Sequence, residues 1–217
     1  MSLGSASNFF LGAASAGSGA ADGPIKSVRF NSGDSAYLNR TPSSASNRKT
    51  WTWSGWVKRS SLTSSYENLF SSGDGGNNWL EIGFTSQKVY FYWQDSSSGT
   101  NIQNSDSVHR DCSAWMHLVV AVDTTQSSAS DRLKIYVNGS QITMGGTNPT
   151  QDFETAVNNT FAHGIGSRVS ESNLYFDGYL ADVYLIDGSA LDPTSFGAYD
   201  DNGVWQAAKY SGTFGTN

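Results

Sequence analysis

Apolar and polar residues alternate with a period of two in short runs along most of this chain, and turn-forming clusters punctuate the runs. Val28 and Phe30 alternate ahead of Asn31-Ser32-Gly33-Asp34, and Tyr37-Leu38 follows, which predicts a first strand pair. Trp51, Trp53 and Val57 then alternate against Thr50, Thr52, Ser54 and Lys58. That strand has one buried and one wetter face, with Trp56 a large apolar exception on the second. Leu69-Phe70 ends a strand before a loop of Ser71-Ser72-Gly73-Asp74-Gly75-Gly76, whose glycines can take positive φ. Residues 79–84 and 88–93 are the next two strands. In the second, Val89, Phe91 and Trp93 share one face and Lys88, Tyr90 and Tyr92 the other, so aromatic rings stand on both faces.

Residues 115–122 form a long apolar strand, which suits the centre of a sheet better than its edge. Leu133, Ile135 and Val137 point inward on the following strand, and Asn138-Gly139 is the strongest hairpin signal in the chain. Pro149 excludes a central strand in the irregular stretch 145–158. Residues 161–166, 175–176 and 178–186 supply further strands, and only 190–196 hints at a helical turn. Roughly ten or more short strands, each half apolar, predict an all-β, two-sheet antiparallel β-sandwich, because each apolar face needs another sheet to cover it.

The sandwich occupies residues 25–196 in this reading. Residues 1–24, dominated by Ser, Gly and Ala, read as a flexible docking arm, since such side chains offer little area to offset backbone entropy. Within it Phe9, Phe10 and Leu11 form a small apolar plug, suited to seating on another subunit. The arm lacks the basic start and continuous apolar stretch of a signal peptide, and no run approaches the ~18 apolar residues that span a bilayer. Membrane insertion is therefore not expected. Residues 197–217 carry Tyr199, Trp205, Tyr210 and Phe214 among small polar residues, and read as a tail that packs on a partner or leads into further chain.

Charge narrows the partners. The formal net charge of −6 and pI of about 4.9 leave no basic field for a phosphate backbone, so nucleic acid is not expected. Charged residues make only 15% of the chain, so Ser, Thr, Asn and Gln must keep the surface soluble. The single Cys112 excludes an intrachain disulfide and reads as a small hydrophobe.

Three segments in order carry a family resemblance. Trp51-Thr52-Trp53-Ser54-Gly55-Trp56-Val57-Lys58 resembles the early strand of laminin G-like and pentraxin-like domains. Residues 115–123 with Leu133-Lys134-Ile135-Tyr136-Val137-Asn138-Gly139 resemble their central hairpin. Ile165-Gly166 and Phe176-Asp177-Gly178-Tyr179-Leu180-Ala181-Asp182-Val183-Tyr184 resemble their closing strands. The resemblance implies a concanavalin A-like jelly roll, a fold that serves lectins, glycosidases, adhesion domains and virion proteins alike. The start at Ser27-Val28-Arg29-Phe30-Asn31-Ser32 and the Asp201-Asn202-Gly203-Val204-Trp205 tail also resemble marine bacteriophage structural proteins. That resemblance implies a non-enzymatic virion component, tail-fibre-like or a capsid decoration, localised to the virion. It would dock to other virion proteins through Phe9, Phe10, Leu11, Trp205, Tyr210 and Phe214. Homo-oligomers are expected with it, a trimer being natural for a fibre or a threefold position.

The alternative is a carbohydrate-binding module for host-surface glycans, which needs exposed aromatic platforms beside planar polar groups. Trp79, Tyr90 and Tyr92 with Asn77, Asn78 and Gln94 are the residues for such a platform. A hydrolase or lyase on the same fold ranks lower. Glycoside hydrolysis needs two carboxyl groups about 5 to 9 Å apart, and family hydrolases resemble one another in a Glu-x-Asp-x-Glu strand. Glu67, Glu81, Glu154 and Glu171 are all isolated, and His109, His117 and His163 match no metal spacing, so no catalytic or metal-ligating residue is assigned. No cofactor is expected. Calcium, implied only by the laminin G-like resemblance, would fall to Asp74, Asp123, Asp177 or Asp182, none of which matches a ligand pattern.

Overall fold

The computed structural model of the protein describes residues 26–62, 65–95, 99–169, 171 and 173–216. Fifteen strands are present among them: β1 (Val28–Phe30), β2 (Leu38–Arg40), β3 (Thr50–Arg59), β4 (Glu67–Gly73), β5 (Trp79–Thr85), β6 (Lys88–Asp95), β7 (Gly99–Ser105), β8 (Met116–Asp123), β9 (Leu133–Val137), β10 (Ser140–Gln141), β11 (Met144–Gly146), β12 (Ala162–Ile165), β13 (Gly178–Asp187), β14 (Gly197–Tyr199) and β15 (Trp205–Ala207). They build a six-stranded sheet in the order β1-β13-β3-β8-β9-β10 and a seven-stranded sheet in the order β11-β7-β6-β5-β4-β12-β2. Every pairing is antiparallel.

The core lies where the alternation places it. Trp51, Trp53 and Val57 of β3 and Leu118, Val120 and Val122 of β8 meet Leu80, Ile82 and Phe84 of β5 and Val89, Phe91 and Trp93 of β6. Rings bridge the two layers, with Trp51 stacked 6.4 Å from Phe91 and Trp53 the same distance from Phe70. The Trp51 indole N–H, being buried, donates to Thr155 Oγ1 in the irregular stretch that closes one end of the sandwich.

Three expectations need correction. β1 and β2 do not pair with each other: the turn at Asn31–Ser35 carries the chain from one sheet to the other, β1 pairing with β13 and β2 with β12. β7, which alternation did not reveal, turns Asn101, Gln103 and Ser105 toward the core side. Ser105 hydrogen-bonds Val89 N–H and Ser107 O, and Gln103 hydrogen-bonds Thr147 O and Asn148 Oδ1, so a strand with almost no apolar residue can lie there.

The third correction concerns the tail. Residues 197–216 fold back across the outer face of the chain's own six-stranded sheet, with β14 and β15 forming a small hairpin. Trp205 is 8% exposed and packs on Trp56 and Ala181, while Tyr210 and Phe214 pack on Val119, Tyr184, Ile186 and Phe196. The three residues expected on a partner surface therefore line a second hydrophobic layer within the domain. The burial of Trp56, the apolar exception on the wetter face, has this cause, as does that of Tyr184. Phe9, Phe10 and Leu11 lie outside the described residues.

Trp205 is fixed by chemistry as well as packing. Its indole N–H donates to His117 Nδ1 at 3.0 Å, and the His117 ring lies nearly parallel to those of Trp205 and Trp56, with centroids 6.0 and 5.0 Å away. Because Nδ1 is thereby an acceptor, the ring's proton sits on Nε2, which donates to Ser54 Oγ at 2.9 Å. Burial holds this imidazole neutral, with its pKa lowered to about 3. The Asn138-Gly139 turn lies under the same indole. Gly139 has φ of +79°, and a Cβ there would fall 2.4 Å from Trp205 Cε3, so no other residue fits.

Candidate functional site

The outer face of the seven-stranded sheet carries the residues with unspent binding chemistry. On β5 and β6 the face opposite the core presents Trp79, Glu81 and Gly83 beside Tyr90, Tyr92 and Gln94. The register puts Gln94 opposite Trp79, Tyr92 opposite Glu81 and Tyr90 opposite Gly83. A Cβ on Gly83 would fall 2.0 Å from the Glu67 carbonyl oxygen and 3.0 Å from the Tyr90 ring, so only glycine fits between them.

Part of this face is covered by the loop between β12 and β13. Ser71 Oγ donates to Ser167 O and accepts from Val169 N–H, and Asn68 N–H donates to Leu174 O, which stitches the loop to β4. The loop brings Arg168 over Trp79, 5.6 Å from the ring centroid, and into an ion pair with Glu81. Glu81 is 1% exposed and also accepts from Asn68 Nδ2 at 3.2 Å, with the Tyr90 hydroxyl oxygen 3.3 Å away. Burial pushes its carboxyl above the usual range, and Arg168 offsets part of that shift. Tyr90, fully buried with its hydroxyl donating to Asn68 Oδ1 at 2.6 Å, cannot meet a ligand. Its place in the expected platform is corrected on that ground.

Trp79 and Tyr92 remain accessible. Their rings meet edge to face at 4.5 Å, and Tyr66, which sequence reasoning missed, stacks on Tyr92 at 6.1 Å with 23° between the planes. All three are half-buried, so part of each ring reaches solvent. A hydrogen-bonded row borders them: Thr100 Oγ1 donates to Gln94 Oε1 at 3.0 Å, and Gln94 Nε2 donates to Asn77 Oδ1 at 3.2 Å. Asn78 is turned away from it, because its side-chain amide and backbone N–H both serve the Asp74 carboxylate within the loop.

The other candidate groups are committed to structure. Asp123 caps its own turn through Thr125 and Gln126, Asp177 pairs with Arg29, and half-buried Asp182 sits at a bulge in β13 with φ of +45°. Among the described residues no group of three or more His, Cys, Asp or Glu is placed to hold a metal ion. Glu67, 2% exposed, is paired with Arg59, and burial raises its pKa. His163 accepts from Asn158 N–H, and burial lowers its pKa to about 4.

A two-sheet antiparallel sandwich is also what the family comparison finds. The chain belongs to the concanavalin A-like lectin/glucanases superfamily, whose laminin G-like family model matches residues 30–195. No curated protein matches the sequence. Among solved structures, domains LG4-5 of the mouse laminin α1 chain align with a TM-score of 0.57 at 11% identity, over 82% of this chain and 46% of that one. The CBM40 of the Ruminococcus gnavus IT-sialidase aligns with a TM-score of 0.52 at 13% identity, over 74% of this chain and 95% of that one. The heptameric SAP-like pentraxin of Limulus polyphemus gives 0.51 at 14% identity, over 79% and 76%. At these identities the likeness is one of fold.

Proposed function

We propose that the domain is a non-catalytic carbohydrate-binding module that holds a sugar against Trp79, Tyr92 and Tyr66. The carrying observation is the edge-to-face Trp79–Tyr92 pair, half-buried and bordered by the Thr100–Gln94–Asn77 row. The apolar face of a pyranose ring covers an aromatic face, while its hydroxyls reach the neighbouring amides. Rigid rings lose little rotamer freedom on binding, which favours such anchors over long flexible side chains. That a relative in fold is a carbohydrate-binding module accords with this reading.

What supports the non-catalytic part is the state of the reactive groups. Ser54 and His117 are within hydrogen-bond distance, but the proton lies on the nitrogen facing Ser54, so the imidazole cannot accept the hydroxyl proton. The Glu81 carboxylate is held by Arg168 and Asn68 rather than presented to a substrate. The test is titration with polysaccharide-derived oligosaccharides, comparing the protein with Trp79→Ala and Tyr92→Ala. Losing a central aromatic anchor costs about 2 kcal/mol or more, so affinity falls by about thirtyfold. Unchanged affinity in both variants would place the binding elsewhere.

A virion setting, with residues 1–24 docking to other virion proteins, is a separate proposal resting on the Phe9-Phe10-Leu11 plug. Its test is solution mass with and without those residues, in mixtures with such proteins; equal behaviour of the two forms rejects it.

A further inference from the structure

We infer that the glycan taken by this platform is electrically neutral, and that sialylated, uronate or sulfated sugars are discriminated against. The inference rests on the carbohydrate-binding reading and concerns which sugars the same face accepts.

An anionic sugar is held by charge-assisted hydrogen bonds from a cation that has capacity to spare. Among the described residues the cation placed over the platform is Arg168, and its charge is already paired. Its Nε pairs with Glu81 and its NH1 with Glu171 Oε2 at 3.2 Å, so one guanidinium faces two carboxylates. The described segments beside the rings, residues 73–79, 94 and 99–101, contain no Lys or Arg but do contain Asp74. Lys88 lies on the same face at the far end of the β5–β6 hairpin, opposite Thr85. Four residues of strand separate it from Tyr92, roughly 13 Å, beyond the screening length of about 8 Å at physiological salt. The local charge is thus negative, in a chain whose formal net charge is −6, and both terms repel an incoming anion.

The polar groups that remain suit hydroxyls. The Gln94 and Asn77 amides and the Thr100 hydroxyl offer donors and acceptors side by side, and are held in place by bonds to one another. A sugar hydroxyl is itself donor and acceptor, so it can enter such a row without leaving a partner unpaired, whereas a carboxylate is an acceptor only. Aromatic faces carry negative potential, which adds to the penalty for an anion placed over Trp79 or Tyr92.

The experiment is calorimetric titration of the full chain with two sets of probes at 20 mM and 500 mM NaCl. Neutral probes are cellohexaose, laminarihexaose, mannohexaose and xylohexaose; anionic probes are hexagalacturonate, 3′-sialyllactose and a sulfated heparin hexasaccharide. The expected result is that at least one neutral hexasaccharide binds ten times or more tighter than every anionic probe. Its affinity should change less than about twofold between the two salts and fall at least tenfold in Trp79→Ala, with circular dichroism confirming that the variant is folded. An anionic probe that binds tightest, and weakens with salt, overturns the neutral assignment while leaving the carbohydrate-binding reading in place. Failure of every probe in both sets overturns both.

Discussion

Removing the indole N–H at position 205 separates the two ways in which the tail is held to the sandwich. In Trp205→Phe most of the ring is kept, but His117 Nδ1 loses its donor inside a side chain that is 1% exposed. A buried acceptor left unpaired costs about 1–3 kcal/mol. Trp205→Ala empties the whole space between Trp56, Gly139 and Gly197, and such truncation of a buried Trp costs about 3–5 kcal/mol. With a urea dependence of about 2 kcal/mol per molar, the midpoint should fall by about 1 M in the Phe variant and about 2 M in the Ala variant. Equilibrium urea unfolding at pH 7, followed by circular dichroism because the substitutions alter Trp fluorescence, measures both. Midpoints equal to the parent's in both variants would show that the tail contributes nothing to the folded domain, and the reasoning from Trp205 and His117 would be wrong.

Other outcomes follow from the same geometry. Burial keeps His117 and His163 neutral in the fold, with pKa values of about 3 and about 4, whereas the unfolded chain takes up protons below pH ~6.5. Their contribution to stability is full above that pH and is lost as pH falls, by about 1.4 kcal/mol per unit for each. Buried Glu67 and Glu81, with raised pKa values, act in the opposite direction, so the readout is comparative: His117→Gln should show a shallower acid slope than the parent in pH-dependent thermal melting. Arg168→Met leaves Glu81 buried without its cation and should cost about 3 kcal/mol or more in urea unfolding; less than about 1 kcal/mol would show that the pair is solvated. Gly139→Ala meets both a left-handed backbone and the Trp205 ring, and should lower the melting temperature by several degrees, about 4 °C or more.

Period-two alternation located β3, β5, β6, β8 and β9 because their core-facing positions are large and apolar, and the Asn138-Gly139 turn because positive φ demands those residues. β7 escaped because polar side chains satisfied by local hydrogen bonds look the same in sequence as solvated ones. The tail was misjudged for a related reason. Its aromatic residues signalled burial, but sequence alone does not say against what, and the clue that Trp56, Val119 and Tyr184 required a cover stood about 20 to 150 positions away. The platform was legible at Trp79, Tyr92, Gln94 and Asn77, which consecutive hairpin strands bring together. Tyr66 and Arg168 were not, since each precedes or interrupts the regular strands and reaches the site only through tertiary contacts. The segments around Phe30 and Trp205 have structural work here: Phe30 fills the core, and Trp205 anchors the tail.

The position of a bound sugar tests the central claim most directly, through a crystal structure of the full chain grown with whichever oligosaccharide binds tightest. The account predicts a pyranose ring within about 4 Å of the Trp79 and Tyr92 rings, with hydroxyls hydrogen-bonded to Gln94. A sugar seated instead in the 380 Å³ groove beside Tyr136 and Leu191 on the opposite sheet, with Trp79 left bare, would contradict it.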